Sequence, residues 1–255
     1  MTSNTSRGFF VTGTDTEVGK TLLSGALIVK LREAGIHVIG FKPVVAGTYI
    51  DAKGQILNED LETLRIASGI NSHEQSLCPF VLDEPAAPHL VAQKNKVHLD
   101  ATLILDEFNA LTSAFDSVVV EGAGGFLVPL NDQEDLGDVA QAMDLPVILV
   151  VGMRLGCINH ALLTCEAIQS RQLTIAGWVA NTLSEEMPLL EENIQTLTGS
   201  PDCRRGLSAV ARLSRRFLRR LRCWVVAASV VSIARNCHGQ SGVRSFIVRQ
   251  PAWRI

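Results

Sequence analysis

The sequence predicts an α/β fold in which a parallel β-sheet is covered by helices on both faces. Two runs have the length and the apolar character of buried strands, namely Ser117-Val118-Val119-Val120 and Pro146-Val147-Ile148-Leu149-Val150-Val151. Segments with helical apolar spacing, such as residues 20–34 and 101–111, alternate with runs of this kind. Because a strand that is apolar on both sides must be covered on both sides, this alternation indicates a parallel sheet.

The other elements follow the same alternation along the chain. Further strands are predicted at residues 9–11, 37–41 and 175–180, and further helices at residues 59–67, 158–169 and 189–197. Ligands of parallel sheets bind at the carboxyl ends of the strands. We therefore expect the polar residues that directly follow the strands to gather along one edge of the sheet.

Composition restricts the class of protein. The chain has 255 residues, 47% of them hydrophobic, which fits one large domain or two small ones. No apolar run reaches the roughly 18 residues of a membrane span, and the first residues lack the pattern of a secretory signal. The six cysteines form no Cys-x-x-Cys pair, so neither a zinc site nor a redox pair is indicated. Reduced thiols in the cytoplasm are the simplest interpretation.

Charge divides the chain into two parts. Residues 201–255 contain 12 Arg, no Lys and one acidic residue, which gives a net charge of +11, whereas the first 200 residues carry −14. We therefore predict a domain at residues 1–199 and an Arg-rich tail at residues 200–255. Two interpretations of the tail remain open. It is either a product of out-of-frame translation or a genuine basic extension that binds nucleic acid or an acidic partner.

The segment Gly13-Thr14-Asp15-Thr16-Glu17-Val18-Gly19-Lys20-Thr21 predicts a phosphate-binding loop between the first strand and the first helix. Backbone N–H groups of such a loop surround an anion at the positive end of the helix dipole. Lys20 adds a cation for the β- and γ-phosphates, and the Thr21 hydroxyl can ligate Mg²⁺. Five residues rather than four separate the two glycines. A turn that only connects strand and helix is the alternative, but the order of strand, loop, Lys-Thr and helix favours nucleoside triphosphate binding.

Two charged residues end strands at the same predicted edge. Glu121 ends the strand that begins at Ser117 and is followed by Gly-Ala-Gly-Gly, so its carboxylate can reach Mg²⁺ while the glycines let backbone approach a ligand. Lys42 ends the second strand and can neutralise a transferring phosphoryl group. The alternative interpretations are that Glu121 is an acidic surface residue at a strand end and that Lys42 is a solvated lysine.

Other polar residues have two interpretations each. Asp60 stands at a helix start, where spacing alone favours a capping role. The helix start at Asn159 offers N–H groups to a substrate carboxylate, whereas His160 and Cys157 beside it are more typical of structural residues. Asn181 ends the last clear strand, where its amide either reads a base edge or forms a turn.

Together these segments resemble the dethiobiotin synthetase family, a family with the P-loop NTPase fold that acts in biotin biosynthesis. The resemblance rests on residues 10–21, 40–44, 84–89, 120–125, 147–152, 155–161 and 176–181. It implies a cyclo-ligase that uses ATP and CO₂ to close a cyclic urea on 7,8-diaminononanoate, with Mg²⁺. One amine becomes a carbamate, the carbamate is phosphorylated, and the second amine displaces phosphate. The resemblance also implies a homodimer with the substrate near the interface.

The resemblance further implies roles for individual residues. Lys20 and Lys42 would be catalytic, and Thr21, Asp60 and Glu121 would surround Mg²⁺, in place of the capping role of Asp60. The substrate contacts would be Lys42, Ala46, Gly124 and Asn159. The nucleotide contacts would be Thr16, Glu17, Val18, Gly19, Lys20, Thr21, Leu22, Asp60, Glu121, Gly122, Ala123, Gly124, Asn181 and Thr182.

The sequence departs from the family at two places. Ala46 stands where the family often has Ser or Thr, which removes one substrate hydrogen bond worth about 1 kcal/mol. After Thr198 we find no match to the strand, the Gly-x-x-Pro segment and the acidic stretch that complete the adenine pocket of the family. We therefore expect weaker nucleotide binding and lower stability, because part of the adenine site and one sheet element would be missing.

Two other functions are compatible with the phosphate loop alone. One is another ATP-dependent amide-forming synthetase, and the other is a partitioning-type ATPase switch whose output is dimerisation or surface binding. The segments Lys42-Pro43 and Glu84-Pro85-Ala86-Ala87-Pro88-His89 argue against both. Small-molecule substrates are therefore expected, with no membrane partner, and nucleic acid is not the expected partner.

Overall fold

The computed structural model describes residues 8–70, 75–183, 187–199, 210–213 and 247–249. In this part of the chain the helices are α1 (Lys20–Glu33), α2 (Glu59–Ser68), α3 (Pro88–Lys94), α4 (Ala101–Ala114), α5 (Leu136–Met143), α6 (Cys157–Ser170) and α7 (Leu190–Gly199). The strands are β1 (Gly8–Gly13), β2 (Val38–Phe41), β3 (Val44–Ala46), β4 (Tyr49–Ile50), β5 (Ile56–Leu57), β6 (Phe80–Leu82), β7 (Ser117–Glu121), β8 (Val147–Met153), β9 (Ile175–Thr182), β10 (Val210–Leu213) and β11 (Ile247–Arg249).

A parallel sheet forms the centre of the molecule, with the strand order β2-β7-β1-β8-β9. β1 pairs with β7 on one side and with β8 on the other, so that Val11 is opposite Glu121 and Ile148. The chain order of the strands reverses direction at β1. Ligands of open α/β sheets bind at the carboxyl ends of the strands beside such a switch point. The predicted α/β class and the parallel sheet are thereby confirmed.

The core lies on both faces of this sheet. Every residue of β1, β2, β7 and β8 is buried, as their continuous apolar sequences predict. α1 packs on the sheet through Leu23, Leu27 and Leu31, which recur every four residues on one side of the helix. The predicted cap of this helix is also present, since Gly35 has a φ of 83° and its N–H donates to the carbonyl oxygen of Arg32.

α2 approaches the sheet closely at Gly40 of β2. A Cβ atom at Gly40 would lie 2.9 Å from Ile28 Cδ1 and 2.9 Å from Leu64 Cβ, so only glycine leaves room for the two helices. The Gly40 N–H donates to Ser68 Oγ at 3.0 Å, and that hydroxyl donates to the Leu64 carbonyl oxygen. This packing holds α2 against β2; the predicted site residue Asp60 lies in the first turn of α2, and Lys42 directly follows β2.

The sequence did not predict the smaller elements. β3 pairs with β6 and β4 pairs with β5, outside the main sheet, and these strands are only two or three residues long. α3 and α5 are also short. Short elements carry too few periods of an apolar pattern to be recognised.

Most of the predicted Arg-rich tail lies outside the described residues. The backbones of β10 and β11 pair in parallel with β9, so sheet elements do stand beside β9, where the sequence analysis expects one to be missing. The boundary at residue 199 and the origin of the tail stay predictions. Within the described residues, no helix is long and apolar enough to cross a membrane.

Candidate active site

The predicted phosphate loop connects β1 to α1 at the carboxyl edge of the sheet. A Cβ atom at Gly13 would lie 2.5 Å from Val18 Cγ2, so this position requires glycine. Gly19, directly before α1, has a φ of 97°, which also favours glycine. The Thr14 N–H donates to the Val150 carbonyl oxygen at 2.9 Å, which ties the loop to β8.

Lys20 folds back over this loop. Its Nζ donates to the Asp15 carbonyl oxygen at 2.9 Å, and the side chain is buried. Burial, and next the positive charge of Lys42, lower the pKa of Lys20 to about 8. A polyphosphate on the loop would restore the preference of this group for its charged form.

Four side chains from four elements converge beside the loop. Thr21 Oγ1 lies 2.6 Å from Asp60 Oδ1 and 2.7 Å from Glu121 Oε1. Lys42 Nζ lies 2.8 Å from Asp60 Oδ2 and 2.8 Å from Glu121 Oε1. Because the hydroxyl has one proton, it donates to one carboxylate at a time. Lys42 and Glu121 are buried and Asp60 is partly exposed, so the group is open to solvent on one side.

The pKa values of Lys42 and Asp60 are both shifted towards the ionised form of each group. Burial alone would lower the pKa of Lys42, but the Glu121 and Asp60 carboxylates outweigh it and raise that pKa above its ordinary value. Burial alone would raise the pKa of Asp60, but the Lys42 ammonium and the hydrogen bonds from Lys42 and Thr21 lower it. Lys42 and Asp60 are therefore a cation and an anion at neutral pH.

The donor set fits Mg²⁺. Mg²⁺ in phosphoryl-transfer sites uses one or two carboxylates and keeps several waters. Thr21, Asp60 and Glu121 supply two carboxylates and a hydroxyl, and Glu121 Oε2 is a buried oxygen with no hydrogen-bond partner among the residues described. In the same part of the chain, no group of three or more His, Cys, Asp or Glu residues could hold a metal ion. The arrangement therefore fits a hard cation shared with phosphates rather than an all-protein metal cage.

Asp60 is free for this role because another residue caps α2. Asn58 Oδ1 accepts hydrogen bonds from the Asp60 and Leu61 N–H groups, at 3.0 and 3.2 Å. Capping by the Asp60 side chain, which spacing alone favoured, is thus wrong, since the cap lies two residues earlier. When two short polar residues, here Asn58 and Asp60, stand at a helix start, the sequence does not show which of them caps the helix.

The glycine-rich segment after Glu121 runs beside the phosphate loop. The Gly122 N–H donates to the Val11 carbonyl oxygen at 2.9 Å. Gly124 has a φ of 59°, and a Cβ atom there would lie 3.6 Å from Thr16 Oγ1. Gly122, Ala123 and Gly124 can therefore bring backbone close to a ligand on the loop.

Asn181 lies behind the phosphate loop, within β9. Its Nδ2 donates to the Val18 carbonyl oxygen at 2.7 Å, and its side chain has no exposed surface. The neighbouring Thr182 is equally buried. Because Asn181 is a strand residue with a contact to Val18, the turn-forming interpretation does not apply. The adenine contact stays a prediction.

The predicted substrate residues Ala46 and Asn159 belong to β3 and α6, which contribute no side chain to the four-residue cluster. Ala46 ends β3, and a Cβ atom at the following Gly47 would lie 3.0 Å from Pro85 Cβ, which places β3 against the segment 84–89. Asn159 is exposed in the first turn of α6, and no hydrogen bond in the described regions links it to Lys42. Cys157 is buried, and burial raises the pKa of its thiol, which favours the structural interpretation.

An ion pair that the sequence analysis missed connects the phosphate loop to the start of α6. Arg154 Nη2 contacts Asp15 Oδ2, and both side chains are partly exposed. The two residues are 139 positions apart. Only the strand order of the sheet brings them together, so no local pattern could have found this pair.

The comparisons with known proteins agree with the site. A family model described as an AAA domain matches residues 7–215. The chain is 46% identical to the ATP-dependent dethiobiotin synthetase BioD of Ralstonia nicotianae, over 225 residues that make up 88% of this chain and 95% of the relative. It is 48% identical to the enzyme of the same name from Aromatoleum aromaticum, over 75% of this chain and 84% of the relative. The first alignment is longer than residues 1–199, so similarity continues into the segment that we assign to the tail.

Solved structures are similar in fold. The MinC:MinD cell division protein complex of Aquifex aeolicus has a TM-score of 0.54 at 12% identity, covering 94% of this chain and 100% of that chain. A ParA family ATPase of Chlorobium tepidum has a TM-score of 0.51 at 13% identity, covering 90% and 99%. At these identities the likeness concerns the fold alone, whereas the matches at 46–48% identity cover most of the chain. The chain therefore belongs to the family of ATP-dependent dethiobiotin synthetases.

Proposed function

We propose that this protein is a cyclo-ligase of biotin biosynthesis, which converts 7,8-diaminononanoate, CO₂ and ATP into dethiobiotin, ADP and phosphate. The observation that carries the proposal is the cluster of Thr21, Lys42, Asp60 and Glu121 directly beside the phosphate loop. This cluster supplies charge neutralisation and a cation site at the end of a bound triphosphate. Family membership gives the reaction to which that chemistry is applied.

The reaction has three steps that balance. One amine attacks CO₂, forms a C–N bond and loses a proton, which leaves a carbamate anion. A carbamate oxygen attacks the γ-phosphorus of ATP, and the bond to the β-phosphate oxygen breaks to release ADP. The second amine then attacks the carbonyl carbon of the carbamic–phosphoric anhydride, loses a proton and expels phosphate, which closes the urea ring.

The residues of the chain contribute mainly charge and position to the phosphoryl transfer. Lys20 binds the β- and γ-phosphates from the loop side, and Lys42 neutralises charge on the transferring group from the side of β2. Thr21, Asp60 and Glu121 would hold Mg²⁺, which when bound neutralises charge on the phosphates. The backbone at Gly122 and Gly124 lines the gap between the nucleotide and the substrate, and holds the two reactants in one orientation.

The remaining nucleotide contacts follow from position in the loop and in β9. Thr16, Glu17, Val18, Gly19 and Leu22 belong to the loop or to the first turn of α1, where backbone N–H groups meet phosphates. Asn181 and Thr182 would contact the adenine base of the nucleotide. The diamine would extend from Lys42 past Ala46 and Gly124, with its carboxylate at the N–H groups around Asn159.

We assign the protein to a homodimer in the cytoplasm. Leu155, Leu163 and Leu189 lie on or beside α6 and α7 and are between 57% and 100% exposed, which favours an interface next to the predicted carboxylate site. Cys78 and Cys157 are free thiols, as a reducing compartment would leave them.

Label incorporation tests the proposed function. We expect ¹⁴C-bicarbonate to enter an acid-stable product only when both 7,8-diaminononanoate and Mg·ATP are present. Lys20→Ala should abolish incorporation, while Lys94→Ala, which removes an exposed lysine of α3, should leave it unchanged. A partitioning-type switch would instead hydrolyse ATP without the diamine, and an amide-forming synthetase would incorporate no label from bicarbonate.

A further inference from the structure

The side-chain amide of Asn181 has a fixed orientation. Its Nδ2 donates to the Val18 carbonyl oxygen at 2.7 Å, and because a carbonyl oxygen only accepts, the nitrogen of the amide must face it. Oδ1 points elsewhere and has no hydrogen-bond partner among the described residues. The bond joins residues that are 163 positions apart, from β9 to the phosphate loop.

Val18 is held on its other sides by two strands. A Cβ atom at Gly13 would lie 2.5 Å from Val18 Cγ2, and one at Gly152 would lie 2.7 Å from Val18 Cγ1. The Val18 side chain therefore packs directly on the backbone at β1 and β8, and it is almost fully buried. Packing fixes the side chain, and the bond from Asn181 fixes the carbonyl group.

The orientation of that carbonyl determines the direction of a phosphate-binding N–H. The Val18 C=O and the Gly19 N–H belong to one planar trans peptide, in which the two groups point in opposite directions. When the oxygen is held towards β9, the N–H of Gly19 points away from β9. Gly19 precedes α1 with a φ of 97°, a conformation in which glycine leaves the peptide free to rotate.

We propose that Asn181 is a positioning residue for polyphosphate binding, because it holds the Val18–Gly19 peptide with its N–H directed into the phosphate loop. This role is separate from the base contact predicted for the same residue, and it rests on the proposed ATP-dependent function. The Asn181 side chain would also connect the phosphate end of the nucleotide site to the base end. A base that reached Asn181 would meet only the acceptor Oδ1, which an exocyclic amine satisfies.

A polyphosphate ligand that lacks a base distinguishes the positioning role of Asn181 from its predicted contact with the base. We expect Asn181→Ala to weaken binding of Mg·tripolyphosphate on the order of tenfold, since the Val18 carbonyl loses its hydrogen bond from Asn181 and the peptide can rotate. Ser24→Ala is the control, because it removes an equally buried polar group that belongs to none of the predicted contacts and has no hydrogen-bond partner in the described structure; we expect wild-type binding. The Michaelis constant for ATP should rise with little change in that for the diamine.

Two outcomes of this titration would overturn the proposal. If Asn181→Ala weakens the binding of Mg·ATP but leaves the binding of Mg·tripolyphosphate at the wild-type level, Asn181 contacts the base only. If neither ligand is affected, the bond to Val18 has no role in binding. Failure of the proposed function gives a different result, because the wild-type protein would then incorporate no label from bicarbonate, whatever the binding titrations show.

A measurement on the wild-type chain covers the case in which Asn181→Ala does not fold. In NMR spectra we expect the Asn181 side-chain amide protons to exchange slowly with solvent and to show a nuclear Overhauser contact to the Val18–Gly19 peptide. Fast exchange without that contact would contradict the proposal, whatever the variants do.

Discussion

Lys42 Nζ lies 2.8 Å from Glu121 Oε1, at side-chain exposures of 4% and 0%. Glu121 ends β7 and Lys42 directly follows β2, so the pairing of these neighbouring strands holds the two residues side by side. A buried pair of this kind contributes little net stability compared with apolar residues, but loss of one partner leaves an uncompensated charge. The pair is therefore better explained by chemistry at the site than by stability.

Removal of one member of this pair should be costly for both stability and activity. We expect Lys42→Met to lower the free energy of unfolding by about 3–5 kcal/mol, because Glu121 would remain buried without its cation. Urea denaturation measures this change. Activity should fall to background in the label-incorporation assay.

The double variant provides the control. Lys42→Met with Glu121→Gln removes both charges, so we expect most of the lost stability to return while activity stays at background. A double variant as unstable as Lys42→Met would contradict the pairing of these charges.

Binding of nucleotide should take up protons near pH 8. The pKa of Lys20 is lowered to about 8 in the free protein, mainly by burial, and a bound polyphosphate would raise it. At pH 8.5 much of Lys20 is neutral before binding and charged afterwards, whereas at pH 6.5 it is charged in both states. Calorimetry in buffers of different ionisation enthalpy should therefore show proton uptake at pH 8.5 and less at pH 6.5. For Lys20→Arg we expect no uptake from this group; equal uptake in the variant would refute the assignment to Lys20.

The stability that Asp60 contributes should be present at neutral pH and lost in acid. The pKa of Asp60 is lowered in the folded state, chiefly by Lys42 against the opposing effect of burial. Its contribution is therefore present above the unfolded pKa of about 3.9 and is lost as the pH falls through the lower folded value. We expect the stability difference between wild type and Asp60→Asn to shrink as the pH is lowered below 4, as measured by urea denaturation. A difference that stayed constant down to pH 2 would disagree with this.

Close packing at Gly40 should be sensitive to a single methyl group. Gly40→Ala places Cβ 2.9 Å from Ile28 and Leu64, and we expect a loss of about 1–3 kcal/mol of unfolding free energy. Gly199→Ala is the control, since a Cβ atom there meets nothing within 4 Å. Equal stability of the two variants in urea would mean that α1 and α2 do not pack as described.

The apolar surface near α6 should govern assembly. Leu155→Asp places a charge on a fully exposed leucine, and we expect the dimer dissociation constant to rise about tenfold or more, because burial of a charge opposes association. Ile66→Asp, at 75% exposure on α2, is the matched control and should not change it. Analytical ultracentrifugation that finds a monomer at all concentrations, for the wild type as well, would remove the homodimer from the proposed function.

Much of the fold follows from local patterns. β7 and β8 were predicted because a parallel strand is apolar on both faces, and the edge that holds the site follows from the direction of such strands. The order of the strands in the sheet could not be predicted from the sequence. The distance between Lys42 and Glu121 could not be predicted either, because it depends on β7 lying beside β2. The contact between Asn181 and Val18 was missed for the same reason, because it depends on the order in which β1, β8 and β9 lie in the sheet.

The distribution of the bicarbonate oxygen atoms between the two products tests the reaction most directly. With freshly dissolved ¹⁸O-bicarbonate, diaminononanoate and Mg·ATP in ordinary water, a carbamate oxygen becomes the bridging atom to the γ-phosphorus and leaves with it. We expect mass spectrometry to find about one ¹⁸O in each phosphate released, together with one in the urea carbonyl. Phosphate that carries no ¹⁸O would mean that water attacks ATP, and the proposed ring closure through a phosphorylated carbamate would be wrong.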